Sequence, residues 1–394
     1  MLTNNRTIVH FDLDTFFVSV ERLLNSKLNG KPIIIGGTSD RGVVASCSYE
    51  ARTFGVHSAM PMKFAKILCN DAIIIRGDME LYSKYSKLVS EIITGKAPLC
   101  EKASIDEHYI DITGMDRFFG NYQWSKELRK SIIDNTGLPI SFGLSVNKTV
   151  SKIATGEGKP NGELQILPEN VKPFLFPLSI KKIPMIGNKT YQLLRSMGVL
   201  NIKTLSMIPP EMMERVMGKN GIVIWKKANG IDNSPVRSYS ERKSISTERT
   251  FDKDTIDIIK LKQKLITMVE KVAYQLRKQK KLTSCITVKI RYSNYDTHTL
   301  QKHIPYTAFD HILLKIVLEL FDKLYQRRML IRLIGVKLSS MVSGSQQLNM
   351  FEDTPEMTSL YMAMDNMRKR FGEHSIKRAV GIHNQSSGNL TVQQ

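Results

Sequence analysis

With 394 residues, 42% of them hydrophobic, the chain is too long for one ordinary core and has room for three or four soluble domains; its longest apolar runs are broken by charges, which excludes a bilayer-spanning protein. Its 57 Lys and Arg against 37 Asp and Glu leave a formal charge of +20, which calls for a polyanionic partner, and nucleic acid fits better than a membrane surface because no amphipathic or apolar anchor is present. The amino terminus lacks the apolar core of a secretory signal, and Cys47, Cys69, Cys100 and Cys285 lie far apart with no CxxC pair, so a zinc site or disulfide framework is not expected; reduced thiols and a cytoplasmic location are.

Residues 6–13 (RTIVHFDL) alternate and carry β-branched side chains, predicting a strand, with a helix following over 15–25. Two short strands, 32–37 and 42–48, flank the turn TSDRG. A helix over 78–94 precedes KASIDEHYIDIT, which reads as two extended runs. A helix near 122–135, a strand at 140–146 and a helix from Lys148 to about Thr155 complete an α+β core ending near residue 168. From 171 to about 235 the pattern changes to short helices punctuated by Gly and Pro, and VRSYSERK (236–243) reads as a linker. Residues 244–341 return to mixed strands and helices; the stretch 241–340 holds 21 Lys and Arg against 10 Asp and Glu, so about +11 of the charge sits there. Such a run also suits a plain solvated face. Beyond 341, SGSQQLNMFEDTPEM reads as a polar linker with one apolar knot, NMRKRFGEHSIKRAV as a short basic helix, and HNQSSGNLTVQQ as a disordered end.

Two acidic positions stand out. Asp12 ends an apolar strand, and the pair Asp106–Glu107 is flanked by extended segments. Carboxylates at strand ends pack poorly and are costly if buried unpaired, whereas three converging carboxylates are what a hard divalent cation requires. On spacing alone the three also fit solvated loop acids. Asp14 falls where strand gives way to helix and is expected to act as an N-cap rather than as a ligand.

The blocks HFDLDTFFVSVE, GVVASCSYEARTFGVHSAMP, SIDEHYID and SFGLSVNKTVSKIATGEGKPNG resemble, in order and spacing, the four signature blocks of the Y-family translesion DNA polymerases, with the bacterial DNA polymerase IV type the nearest; the resemblance covers roughly residues 5–340. It implies an α+β multidomain chain of right-hand polymerase architecture: a palm from 1–17 and 78–168, small fingers from 18–77, a helical helix-hairpin-helix thumb from 169–235, a linker at 236–243, an α/β little finger from 244–341, and a clamp-binding linker with a basic tail from 342–394. The implied activity is template-directed translesion DNA synthesis of low fidelity and low processivity by a monomer. Its implied partners are primer–template DNA, a deoxynucleoside triphosphate and the sliding clamp.

Carried over position by position, Asp12, Asp106 and Glu107 match the family's catalytic metal-binding carboxylates, with the carbonyl of Leu13 completing a site for two Mg²⁺ ions, for which Mn²⁺ can substitute. Ser46, Tyr49, Arg52 and Lys159 match positions around the triphosphate, and Phe16 and Phe17 stand at the nucleotide. Phe17 matches the steric gate against a ribose 2′-OH, while Phe16 by its own place on an amphipathic helix reads as core. The GEGKP segment is not a P-loop, because Ile153 and Pro160 occupy positions that motif needs for Gly and for Ser or Thr. KIPMIGNKTYQLLRSMGV resembles a helix-hairpin-helix whose turn, Pro184 to Gly187, and nearby Lys189 would meet DNA backbone. QLNMF resembles a clamp-docking motif, with Gln347 at the rim and Leu348, Met350 and Phe351 in a groove. His57 and His108 depart from the family pattern and read as structural. A DNA-binding scaffold, a two-metal nuclease or cyclase, and a polymerase V subunit needing further partners are the competing readings.

Overall fold

A computed structural model of the chain describes residues 6–116, 120–239, 241–325, 329–344, 354–373 and 375–381. The chain divides into two compact units, Met1–Ser240 and Glu241–Gln394.

The first unit opens with β1 (Ile8–Leu13) and α1 (Phe16–Leu24), followed by β2 (Ile33–Gly36), β3 (Val44–Cys47), α2 (Tyr49–Thr53), α3 (Met62–Leu68) and β4 (Ile73–Ile75). Next come α4 (Met79–Lys96), β5 (Leu99–Lys102), β6 (Glu107–Asp111), α5 (Asn121–Thr136), β7 (Ile140–Ser145), α6 (Lys148–Gly158) and β8 (Glu163–Gln165). Short helices complete it: α7 (Val171–Leu175), α8 (Asn188–Ser196), α9 (Ile202–Met207), α10 (Pro210–Met217) and α11 (Lys219–Ala228).

Its central sheet has the order β5-β6-β1-β7-β8. β1 lies in the middle, and its alternation sorts two faces. Val9, Phe11 and Leu13 point into a core with Phe16 and Val20 of α1, Tyr82, Val89 and Ile93 of α4, and Leu128 and Ile132 of α5. The opposite face carries His10 and Asp12, and antiparallel register sets Glu107 and Ser141 on either side of Asp12. Helix α6 covers part of this polar face. It lies so close that a Cβ at Gly143 would run into the Ser151 carbonyl, which is why β7 has glycine there.

A second sheet, β3-β2-β4, is built on the run Ile33, Ile34 and Ile35, fully buried on both sides. Ile34 packs with Ala51, Met62 and Ala65 of α2 and α3; Ile33 and Ile35 pack with Val18 of α1. Helices α7 to α11 share a core with Val150 and Ile153 of α6, so α6 joins sheet and helices in one body.

The second unit contains β9 (Ser244–Thr255), α12 (Ile258–Lys278), β10 (Lys281–Tyr292), β11 (Thr297–Thr307), α13 (Asp310–Leu324), β12 (Ile331–Ser343) and α14 (Thr354–Phe371). The antiparallel sheet β11-β10-β12-β9 packs its apolar face on α12 and α13. Helix α14 begins twelve residues before the short basic helix that the sequence suggests, and it is anchored. Tyr361, 2% exposed, stacks with Phe309 (5.4 Å) and His311 (6.1 Å) beneath the Arg277 guanidinium (4.8 Å). Arg277 of α12 also grips Asp365 through Nε (2.7 Å) and Nη2 (3.0 Å).

Candidate active site

The three acidic residues lie where β1 meets β6. Asp12 and Glu107 are direct cross-strand partners, and the Leu13 N–H donates to the Asp106 carbonyl (3.1 Å), which locks the start of β6 against the end of β1. Each side chain has its own partner. Lys159 Nζ donates to Asp12 Oδ1 (2.6 Å) and approaches the Leu13 carbonyl (3.4 Å). Lys152 Nζ, from α6, donates to both oxygens of Glu107 (2.5 Å). Asp106 Oδ1 accepts from Ser104 Oγ (2.5 Å). With the oxygens turned to these partners, no three His, Cys, Asp or Glu side chains among the described residues converge on a common ion position.

The electrostatics nonetheless fit a hard cation. Burial pushes the Asp12 carboxyl up to about 6, with Glu107 and Asp106 adding to the rise even though Lys159 is in contact. Burial would push Glu107 up as well, but His10 and Lys152 outweigh it and hold the group at about 2. Burial lowers His10 to about 4, leaving it neutral, and its Nε2 stands 3.8 Å from Glu107, out of hydrogen-bond reach. Lys152 is therefore the charge that Glu107 meets. An all-oxygen donor set of three mutually repelling carboxylates and a carbonyl suits a divalent ion of the Mg²⁺ class, and the two lysines now supply the positive charge there.

Lys152 carried no signal in the sequence beyond its place on a helix. His10 is similar: its Nδ1 shares a 2.8 Å hydrogen bond with Thr155 Oγ1 of α6, a contact spanning 145 residues. His108 and His57 stand apart from the three acids' own hydrogen bonds. His108 is buried with Nε2 2.9 Å from Ser90 Oγ, and His57 Nδ1 lies 2.9 Å from the Ser58 carbonyl.

Asp14 departs from expectation. It does not cap α1; Thr15 holds the cap position in a left-handed conformation (φ 41, ψ 46) without a side-chain cap bond. The Asp14 carboxylate, 1% exposed, instead accepts from Ser141 Oγ on β7 (3.0 and 2.9 Å) and from the backbone N–H of Asn161 (2.6 Å). A local cap rule could not see partners 127 and 147 residues away. Lys159 Nζ and Tyr49 Oη each lie 3.5 Å from the same carboxylate.

Tyr49 opens α2, whose N-cap Ser48 accepts from the Ala51 N–H (3.2 Å), and the Arg52 guanidinium lies over the Tyr49 ring at 4.9 Å. Ser46 sits on β3 opposite Ile35. Phe16 is core, 3% exposed, so only its backbone can face a nucleotide. Phe17 is half-buried and lies flat on Tyr82 (4.2 Å, 12°), which Glu21 fixes by accepting from the tyrosine hydroxyl (2.5 Å). A cleft of about 340 Å³ opens beside Asp14 and Tyr49; Arg22, Pro139 and Asn161 line it, whereas Asp12, Asp106 and Glu107 do not.

Gly187 caps the start of α8 without a side-chain bond, and Gly187 and Lys189 are exposed; Ile183 and Ile186 bury the turn against the helical core. Gln347, Leu348, Met350 and Phe351 lie outside the described residues. No helix among the described residues is long and apolar enough to cross a membrane.

The family model described as the impB/mucB/samB family matches residues 11–156, and that of the impB/mucB/samB family C-terminal domain matches 242–350. A DNA polymerase IV of Dehalococcoides mccartyi is 36% identical over 376 residues, covering 94% of this chain and 96% of its own. One from Streptococcus pneumoniae is 37% identical over 341 residues, covering 85% and 97%. Among solved structures, a Y-family DNA polymerase chimera of Dbh and Dpo4 is 27% identical with a TM-score of 0.75, covering 86% of this chain and 100% of its own. An insertion ternary complex of Dbh DNA polymerase gives 26% identity and a TM-score of 0.61 over the same shares. The chain thus belongs to the impB/mucB/samB family: it is a DNA-directed DNA polymerase of the Y family, of the translesion DNA polymerase IV type, with that family's mixed α/β right-hand architecture.

Proposed function

We propose that the chain extends a DNA primer on a template by two-metal-ion nucleotidyl transfer, with low fidelity and low processivity, and that Mg²⁺ is its working cation. The observation that supports this most is the meeting of Asp12, Asp106 and Glu107 at one sheet end with Lys152 laid against Glu107 and Lys159 against Asp12. Asp12 and Asp106 would hold both ions, Glu107 the one nearer the primer 3′-hydroxyl, and the Leu13 carbonyl would complete one site. Such ions would supply Lewis-acid chemistry, lowering the pKa of that hydroxyl, whose proton would pass to water, and offsetting the triphosphate charge, so that the 3′-oxygen forms its bond to the α-phosphorus as the bond to pyrophosphate breaks. Lys159, released from Asp12, meets the triphosphate together with Tyr49, Arg52 and the hydroxyl of Ser46, and the start of α1, uncapped by any side chain, offers the backbone at Phe16. Phe17, held flat by Tyr82, stands against the sugar as the steric gate.

In the same reading, 1–17 with 78–168 serve as palm, 18–77 as fingers, 169–235 as thumb and 244–341 as little finger. The turn at Gly187 and Lys189 grips DNA backbone, and the basic second unit adds hold without reading sequence. Gln347, Leu348, Met350 and Phe351 dock the sliding clamp; replacing the last three by Ala should remove clamp stimulation and spare bare extension. The protein works as a cytoplasmic monomer. Extension of a primer by the purified chain alone, titrated with Mg²⁺, tests the reading. Dependence on Mg²⁺ without any added subunit is expected, and failure to extend at any Mg²⁺ concentration would reject it.

A further inference from the structure

We propose that Asp14 is the positioning residue that joins the two sides of the triphosphate site. It is too buried to touch a nucleotide, yet it is surrounded by groups that do, if the reading of Lys159 and Tyr49 above holds. Its carboxylate accepts from Ser141 Oγ and the Asn161 N–H, and Ser141 Oγ in turn accepts from the Gly162 N–H (3.0 Å). Three bonds thus tie the loop after α6 to β7 and to the end of β1.

The loop needs that tie. Asn161 adopts a left-handed conformation (φ 51), which costs a non-glycine residue free energy unless its surroundings hold it, and Asn is among the residues that bear it best. Gly162 cannot carry a side chain, because a Cβ there would collide with the Gly158 carbonyl. Two residues upstream of Asn161 stands Lys159. Its ammonium lies between Asp12, at 2.6 Å, and Asp14, at 3.5 Å. In the reading above Asp12 would be engaged by cations, whereas the Asp14 carboxylate, enclosed by its donors, stays in place beside Lys159 Nζ. Tyr49 Oη reaches the same carboxylate from α2, at 3.5 Å. One buried charge therefore sets the position of a cation from one side of the cleft and a hydroxyl from the other.

The test is single-nucleotide incorporation by the full chain on primer–template DNA with dATP and Mg²⁺, comparing Asp14→Asn, Ser141→Ala, Lys159→Ala and the double variant Asp14→Asn/Lys159→Ala. Loss of a charge-assisted contact predicts a rise of about tenfold or more in KM for dATP in Asp14→Asn, with a smaller change in kcat and unchanged affinity for primer–template. Ser141→Ala, which keeps the carboxylate, should raise KM in the same direction by less, so the proposal stands or falls even if Asp14→Asn folds poorly. The double variant should exceed Lys159→Ala alone in KM by clearly less than the factor that Asp14→Asn imposes by itself, the remainder being the share that Asp14 exerts through Tyr49. Additive effects, or an unchanged KM in a folded Asp14→Asn alongside a raised KM in Lys159→Ala, would overturn the role of Asp14 only. An unchanged KM in Lys159→Ala would reject the triphosphate assignment of that lysine and the proposal with it.

Discussion

Tyr361→Ala should release helix α14 from the second unit without melting the unit itself. The ring is 2% exposed, is stacked with Phe309 and His311, and lies under Arg277; its hydroxyl accepts from the His311 N–H (3.2 Å). Truncating a buried aromatic costs about 3–5 kcal/mol, a figure that already contains the stacking, and loss of the hydroxyl acceptor adds about 1 kcal/mol or more. Against a loss of that size stand the Arg277–Asp365 pair and Arg368, whose guanidinium lies over Tyr274 at 5.6 Å and donates to the Ile376 carbonyl (3.3 Å). Arg368 is buried and the Arg277–Asp365 pair mostly so, and charge-assisted bonds of this kind contribute about 1.5–3 kcal/mol each; the loss at Tyr361 is as large as what remains, so the helix should undock readily. Native-state hydrogen exchange read by mass spectrometry is the assay. Peptides from 354–371 should lose at least about tenfold in protection while β10 keeps its own, and Tyr361→Phe should fall in between. Unchanged protection of the helix, or an equal loss throughout the unit, would refute the reasoning.

Other outcomes can be checked directly. Gly143→Ala forces a Cβ against Ser151 and Thr155, so α6 must move; overpacking of about 1–3 kcal/mol should lower the melting temperature and slow primer extension together, and an unaltered melting temperature would contradict the packing described. Phe17→Ala should raise ribonucleotide relative to deoxyribonucleotide incorporation by about tenfold or more, and an unchanged ratio would reject the gate assignment. Lys152→Ala removes the cation from Glu107 and should tighten Mn²⁺ binding, read by electron paramagnetic resonance without nucleotide, by several-fold; weaker binding would mean that Lys152 helps hold the ion rather than standing in for it.

The parts legible in the sequence were those with local periodicity. IVHFDL alternates, and it is the central strand with its apolar half in the core and Asp12 on the other face. The amphipathic runs at 79–96 and 121–136 lie within a few residues of their expected spans. β4 was missed because three isoleucines gain strand character only by pairing in parallel with β2. Asp14 was misread because its surroundings in sequence look like a helix start, whereas its donors come from β7 and the loop after α6. Helix α14 was partly hidden because the polar composition of the tail says nothing of Arg277, 88 residues upstream, which holds it. The four ordered blocks carried the assignment, and the structure added the buried charges and lysines around them.

The central claim is that Asp12, Asp106 and Glu107 carry the chemistry. Asp106 is the clearest of the three to remove, since its side chain is held only by Ser104 Oγ among the hydrogen bonds described, so its loss should leave the fold intact. Primer extension by Asp106→Ala, with circular dichroism and primer–template binding matching the unaltered protein, is the decisive measurement. Extension lost by about a thousandfold or more with DNA binding retained is the expected result; extension at the unaltered rate would contradict the assignment of the site.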